Sequence, residues 1–162
     1  MSAPPGTRAA RRRAARLAAV QALYQAEMTG AAPEVVIAEF RAHRLGREID
    51  GEGYGEADAA MFVELVKGVV ARRAEIDPLI ADSLARGWSF DRIERLARLV
   101  LELGVFELLA KADVPIAVVI DEYVDLTHAF FAGQEPRFVH GVLDRLGKRL
   151  RGAPGGQPAQ AR

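Results

Sequence analysis

The sequence predicts an all-α protein, a seven-helix bundle made of two sub-bundles with three and four helices. Apolar residues recur at helical spacing along most of the chain. No stretch alternates apolar and polar residues for long enough to indicate a convincing strand. Gly and Pro separate the periodic segments, which is typical of helix ends. The predicted helices cover residues 8–28, 33–45, 57–74, 77–86, 90–110, 113–131 and 135–151.

The first three helices form the first predicted half, residues 8–74. We expect the first helix to stop at Thr29-Gly30, because Gly readily takes the left-handed conformation that ends a helix. The second begins at Pro33, whose fixed φ suits a first helical turn. A Gly-rich loop over residues 46–56 separates it from the third helix.

The remaining four helices form the second predicted half, residues 75–151. Asp77-Pro78 is typical of an N-cap followed by a first-turn proline, so it predicts a short fourth helix. Ser89 is placed to cap the fifth. That helix carries Leu, Val and Phe on nearly every side, so we expect it at the centre of the bundle. The last two helices begin near Pro115 and Pro136.

Composition and charge indicate a neutral protein with a basic start. The chain has 22 basic and 22 acidic residues, but its first sixteen residues carry five Arg and no acid. Such asymmetry favours an anionic partner held at one end. The chain has no Cys, which excludes disulfides, Cys-ligated zinc and thiol catalysis. Residues 1–7 and 152–162 are predicted to be disordered tails around one helical domain, residues 8–151.

Neither a membrane segment nor a secretory signal is indicated. No apolar run reaches the roughly 20 residues that a membrane helix needs. The N-terminus lacks the apolar centre of a signal peptide. We therefore expect a cytoplasmic protein without membrane contact.

The stretch "RAARRRAARLAAVQALYQAE" joins a basic segment to a helix that packs into the core. Leu17, Val20, Tyr24 and Met28 share one sector of the helical wheel, so they are the predicted docking face. The arginines precede this face, so we expect them to project beyond the bundle or to lie along its edge, where guanidinium groups suit phosphate. These arginines are Arg8, Arg11, Arg12, Arg13 and Arg16. A merely solubilising tail is the alternative.

Two further features lie in the second half. Glu107 falls on the core face of the fifth helix, so it needs a buried partner. The expected partner is the start of the next helix, with its free N–H groups near residues 114–117. Gln134 and Arg137 lie in a polar loop between phenylalanines, including Phe138, and such rings can stack on the bases of single-stranded RNA. We expect two of the three phenylalanines, Phe130, Phe131 and Phe138, to be core residues.

No motif supports an enzyme. "GEGYGE" has no preceding strand and no following GK[ST], and neither G-x-S-x-G nor H-E-x-x-H occurs. Asp121, Asp125 and His128 share one helix face but lack a second cluster to complete a metal site. We therefore predict no catalytic residue, metal or cofactor.

The order of these motifs resembles the NusB family of bacterial transcription antitermination factors. The resemblance rests on "AVQALYQAE", "FELLAKADVPIAVVIDEYVDLTHAF" and "EPRFVHGVLDRL", and it covers about residues 8–150. It implies a NusB-like fold and a non-enzymatic adaptor. Such an adaptor would bind the boxA element of ribosomal RNA leader transcripts as a heterodimer with NusE, a small-subunit ribosomal protein, within the RNA polymerase antitermination complex.

The resemblance also implies roles for individual residues. The five arginines of the first helix match the basic RNA-binding segment of the family. A second RNA surface is matched by Gln134, Arg137 and Phe138, and an architectural pattern by Glu107 and Pro115. The chain departs from the family pattern at three positions, namely Glu102 for a frequent Arg, Phe106 for Tyr and His140 for Asn.

The roles of these three residues, the oligomeric state and the face that would bind NusE stay open. A helical protein–protein scaffold, whose basic first helix binds an acidic partner, is the alternative function.

Overall fold

The computed structural model describes residues 6–45 and 57–152, and between them only the backbone of two short strands. The elements are α1 (Arg8–Thr29), α2 (Pro33–His43), β1 (Glu48–Ile49), β2 (Glu52–Gly53), α3 (Ala59–Asp82), a 3-10 helix (Phe90–Arg92), α4 (Arg95–Ala110), α5 (Ile116–Phe130) and α6 (Glu135–Arg151). The all-α class is confirmed, with β1 and β2 as one small antiparallel pair. The described part of the chain has six α-helices where seven were predicted.

The predictions for the outer tails, residues 1–5 and 153–162, and for most of the Gly-rich loop lie outside the described residues. None of the described helices is long and apolar enough to cross a membrane.

The chain divides into two compact units between Val70 and Ala71. This boundary falls inside α3, whose first half belongs to the first unit and whose second half belongs to the second. The predicted boundary between the two halves lies four residues further along the sequence, after residue 74.

The first unit contains α1, α2 and the start of α3. α1 ends as expected, with Gly30 in the left-handed conformation at φ 73°. Phe40 of α2 stacks on Phe62 of α3 with ring centroids 5.6 Å apart. The predicted docking face of α1 is partly wrong, because Met28 is 54% exposed. The buried positions of α1 are mostly small, and they are Ala15, Arg16, Ala18, Ala19, Val20, Ala22 and Leu23.

α3 is one continuous helix where two were predicted, so the prediction that Asp77-Pro78 starts a helix is wrong. Pro78 lies inside α3. It has no N–H to donate to the carbonyl of Ala74, but both residues are exposed, so water can solvate that carbonyl. Ile76 and Ile80 are fully buried, and their burial offsets the cost of the missing hydrogen bond.

α4 is the central helix of the second unit, as predicted, and it is buried over its whole middle. It begins later than expected. Ile93 is extended, and the carboxylate of Glu94 accepts N–H bonds from Leu96 and Ala97, at 2.9 and 3.4 Å. The predicted cap, Ser89, precedes the 3-10 helix and makes no side-chain cap bond. α5 and α6 both pack against α4.

The last turn of α6 is fixed to the end of α4 by Arg151. Its guanidinium donates to four backbone carbonyls, those of Glu107, Leu108, Lys111 and Val114, with distances of 2.9 Å to Glu107, 2.9 Å to Leu108 and 2.7 Å to Lys111. These carbonyls lie at the C-terminal end of α4 or just after it, where helical carbonyls lack intrahelical partners. Burial lowers the pKa of Arg151 from its usual value, and the charges of Asp113 and Glu107 oppose this.

Candidate nucleic-acid interface

The basic segment forms the first turns of α1. Arg8 and Arg11 are exposed, and Arg12 and Arg13 are half-buried. The first turn contains no acidic residue, so their charge opposes the helix dipole. Thr7 offsets part of this cost, since its hydroxyl accepts the N–H of Ala10 at 3.1 Å. The turns therefore present guanidinium groups on an ordered helix.

Arg16 lies elsewhere. It is only 2% exposed, so the expectation that all five arginines project from the bundle is wrong at this position. Val20 and Leu23 follow it by one and two turns on the same stripe, and both are buried. This spacing was visible in the sequence. The accessible basic segment consists of Arg8, Arg11, Arg12 and Arg13.

The start of α3 lies beside the basic segment. The N–H of Asp58 donates to the carbonyl of Arg11 at 3.0 Å. The carboxylate of Asp58 in turn accepts the N–H of Met61 at 2.9 Å and so caps α3. These contacts fix the second turn of α1 within the first unit.

The second predicted group lies at the start of α6, in the second unit. Gln134 and Arg137 are both exposed. Gln134 is the N-cap residue of α6, but its side chain makes no cap bond. Both residues line a shallow cleft of about 470 Å³ between α5 and α6, whose lining is Val124, His128, Gly133, Gln134, Pro136, Arg137 and His140.

Two histidines also belong to this group, although they were not predicted to lie in it. His128 and His140 are exposed and line the same cleft as Gln134 and Arg137. His140 follows Arg137 by three residues on α6, a spacing that could have indicated the pairing. The cleft offers amide, guanidinium and imidazole groups, all of which can donate hydrogen bonds to an anion or to a base edge.

Phe138 belongs to the same turn of α6 but contacts another segment. Its ring centroid lies 5.3 Å from that of Trp88. Phe138, Phe130 and Phe131 are all half-buried, so the expectation that two of them are core residues is wrong. Trp88 was not among the predicted site residues. A lone Trp beside a turn Gly was the available signal.

The predicted architectural residues lie at the junction of α4 and α5. Glu107 is fully buried, and the hydroxyl of Tyr123 in α5 donates to its carboxylate. The predicted partner was a helix N-terminus, whereas this contact is a side chain one helix away. Pro115 is the exposed N-cap residue of α5. Phe106, the neighbour of Glu107, is buried.

Glu102 is fully buried in the second unit, beside two partly exposed arginines. Its carboxylate is 3.3 Å from Nε of Arg73 and 3.6 Å from the guanidinium of Arg98. Burial, with a hydrogen bond and charge repulsion from Asp77, raises the pKa of Glu102 to about 8, although both arginines oppose this. The departure from the family pattern at this position is therefore a core feature and not part of an exposed surface.

Asp121, Asp125 and His128 are all exposed on α5. Among residues 6–45 and 57–152, no group of three or more His, Asp or Glu side chains is arranged to hold a metal ion.

Comparison with known proteins places these features in one family. Residues 13–148 match the model of the NusB family. The chain is 51% identical to the transcription antitermination protein NusB of Allorhizobium ampelinum over 91% of this chain and 92% of that protein. It is 49% identical to the protein of the same name from Sinorhizobium fredii, with the same coverage.

Solved structures agree with this assignment. T. maritima NusB superposes with a TM-score of 0.69 at 30% identity, covering 91% of this chain and 93% of that one. A chain of a crystal structure of the antitermination factors NusB and NusE in complex with double-stranded RNA superposes with a TM-score of 0.70 at 27% identity, covering 85% of this chain and 96% of that one. The sequence relatives are transcription antitermination proteins, which confirms the non-enzymatic prediction. The chain belongs to the NusB family.

Proposed function

We propose that this chain is a transcription antitermination factor that binds boxA-type single-stranded RNA of ribosomal RNA leader transcripts together with NusE. It would work in the cytoplasm, as part of the RNA polymerase antitermination complex. The observation that carries the proposal is the basic segment of a NusB-family chain. Four accessible arginines begin α1 without an acid in its first turn.

The basic segment supports phosphate binding. Its arginines stand on an ordered, capped helix, so less conformational entropy is lost on binding than from a flexible tail. Guanidinium groups contact phosphate through paired N–H donors. Such contacts hold an RNA strand but carry no sequence information.

The cleft between α5 and α6 supports base recognition. Gln134 and Arg137 present side-chain donors, and Gln134 is also able to accept. A single-stranded base exposes hydrogen-bonding edges that such groups can read. We propose that this cleft and Phe138 form the second RNA contact, and that NusE increases affinity and specificity.

A binding assay with the full chain tests the proposal. Labelled single-stranded boxA RNA, a scrambled RNA and boxA RNA annealed into a duplex are titrated with and without NusE. We expect the single-stranded boxA RNA to be retained best, and more tightly when NusE is present. The duplex is included because the related complex contains double-stranded RNA.

Substitutions test whether the basic segment binds RNA. R11A/R12A/R13A should weaken RNA binding by more than tenfold, whereas R72A should leave it unchanged. Arg72 is a suitable control because it pairs with Glu75 at 2.7 Å, outside both proposed surfaces. The scaffold alternative would be favoured if the chain bound no RNA, with or without NusE, but bound an acidic protein through these arginines.

A further inference from the structure

An exposed tryptophan and a half-buried phenylalanine form an aromatic pair, and the phenylalanine, Phe138, follows the cleft residue Arg137 in α6. Trp88 is 52% exposed, although tryptophan side chains are usually well buried. Its ring centroid lies 5.3 Å from that of Phe138, and the ring planes are inclined by 35°. The indole therefore has one side on Phe138 and substantial apolar area open to solvent.

The segment around Trp88 is a defined turn. Gly87 has φ 90°, which a residue with a side chain adopts only with strain. The N–H of Trp88 donates to the carbonyl of Ala85 at 3.0 Å. The guanidinium of Arg92 lies 3.5 Å from the carbonyl of Gly87. These contacts position the indole before any ligand binds.

Two arginines follow the aromatic pair along α6, namely Arg145 and Arg149. Phe138, Gly141, Arg145 and Arg149 follow one another at spacings of three and four residues, so they share one stripe of the helix. A Cβ at Gly141 would lie 3.4 Å from the guanidinium of Arg145, which places that guanidinium over the glycine.

The two arginines of this stripe contact Ser83. Arg145 donates to the carbonyl of Ser83 at 2.9 Å, and the guanidinium of Arg149 lies 3.5 Å from the Ser83 hydroxyl. Both groups of Ser83 are uncharged. The acidic neighbour Asp144 pairs instead with Lys148 at 3.1 Å.

We propose that Trp88 and Phe138 form a stacking platform for an unpaired RNA base, with Arg145 and Arg149 binding the adjoining phosphates. This inference rests on the proposed function and extends it to Trp88. A nucleotide combines a flat apolar face with a neighbouring anion, which matches an open indole followed by guanidinium groups. Stacking accepts any base, so the platform adds affinity with little sequence preference.

Fluorescence provides a direct test, because Trp88 is the only tryptophan of the chain. Titration of the full chain with single-stranded boxA RNA should quench this emission in parallel with binding. An RNA of the same length without bases should bind through its phosphates without quenching. W88A should weaken binding of the normal RNA by about 5- to 150-fold, and W88F should retain most of the affinity.

The outcomes separate this inference from the proposed function. RNA binding with unchanged emission, and equal affinity of the chain and of W88A, would overturn the platform and leave the proposed function intact. Quenching by NusE in the absence of RNA would also overturn it, since the platform would then contact protein. No RNA binding by the unaltered chain would overturn both proposals. Equal melting temperatures of the chain, W88A and W88F show that the comparison concerns binding and not folding.

Discussion

At the residue scale, a tyrosine hydroxyl and a carboxylate join α4 to α5. Tyr123 and Glu107 are both fully buried and hydrogen-bonded to each other. A buried carboxylate that loses a donor keeps its desolvation cost without compensation. The pair therefore contributes to stability and has no need of a chemical role.

Removing the Tyr123 hydroxyl should destabilise the protein. We expect Tyr123→Phe to lower the free energy of unfolding by about 1.5–3 kcal/mol, measured by urea titration. Tyr24→Phe is the matched control, because Tyr24 is half-buried, and it should change stability by less than about 0.5 kcal/mol. In a Glu107→Gln background, Tyr123→Phe should cost less, since the two residues are coupled. Equal costs for Tyr123→Phe and Tyr24→Phe would contradict this account.

Glu102 should make stability depend on pH. Its pKa is about 8 in the folded protein against an ordinary 4.5, so the folded state binds this proton more tightly than the unfolded state. Stability from this group is therefore fully present below about pH 4.5 and is lost as pH rises to about 8. Glu102→Gln mimics the protonated form and should not lose it.

Urea titrations at several pH values across this window test the prediction. The stability of Glu102→Gln relative to the unaltered chain should rise with pH, by an amount on the order of a few kcal/mol. Glu75→Gln is the control, because Glu75 is an exposed member of a surface ion pair. Parallel pH profiles of Glu102→Gln and the unaltered chain would contradict a raised pKa.

At the scale of the elements, two glycines let α6 approach its neighbours. A Cβ at Gly104 of α4 would lie 2.9 Å from a methyl group of Leu143, and one at Gly147 of α6 would lie 2.8 Å from a methyl group of Ile116. The Leu143 methyl ends a flexible side chain, whereas Ile116 is β-branched and stiff. Gly147 is therefore the less replaceable glycine.

We expect Gly147→Ala to lower the free energy of unfolding by about 1–3 kcal/mol through overpacking. Gly141→Ala is the matched control on the same helix, since its Cβ would meet only the flexible guanidinium of Arg145 at 3.4 Å. The alanine there should be neutral or stabilising, because Ala favours a helix over Gly by about 1 kcal/mol. Thermal melting of the two variants measures this difference. A Gly147→Ala variant as stable as the unaltered chain would show that α6 does not need a glycine at this position.

Some helix ends could be predicted from the sequence and others could not. The ends at Gly30, Pro33 and Glu135 depend on local backbone preferences, and they were predicted closely. The joining of two predicted helices in α3 depends on the burial of Ile76 and Ile80, which overrides the local preference of Pro78. The pattern of neighbouring residues does not reveal such burial.

At the scale of the whole molecule, the neutral total charge conceals a basic start balanced by an acidic remainder. Each phosphate contact in single-stranded RNA contributes about −0.7 to the slope of log affinity against log salt. If Arg8, Arg11, Arg12 and Arg13 each bind one phosphate, they contribute about −2.8. Arg16 is left out because it is buried.

Salt titration measures this contribution. Arg11→Ala combined with Arg12→Ala should flatten the slope for boxA RNA by about 1.4. Arg72→Ala removes one positive charge outside the proposed surfaces and should leave the slope unchanged. A slope that is the same in the double variant and the unaltered chain would show that these arginines do not bind phosphate.

The candidate site was predictable in part. Arg8, Arg11, Gln134 and Arg137 are exposed, and a sequence can indicate exposure of this kind because charge and loop position are local properties. Their roles in binding stay predictions. The burial of Arg16 and the contact of Trp88 with Phe138 were not predicted, because they depend on which faces of the helices pack together. Residues fifty positions apart in the sequence meet there.

The bonds of Arg151 also impose an order in time on the folding of a nascent chain. Arg151 is synthesised 40 residues after Lys111, one of the four residues whose carbonyls it binds. A ribosome that has completed α5 has therefore not yet made the side chain that closes the end of α4. The stacking of Phe40 on Phe62 joins residues of the first unit and can form earlier. The second unit can therefore be complete only after the last turn of α6 has been made.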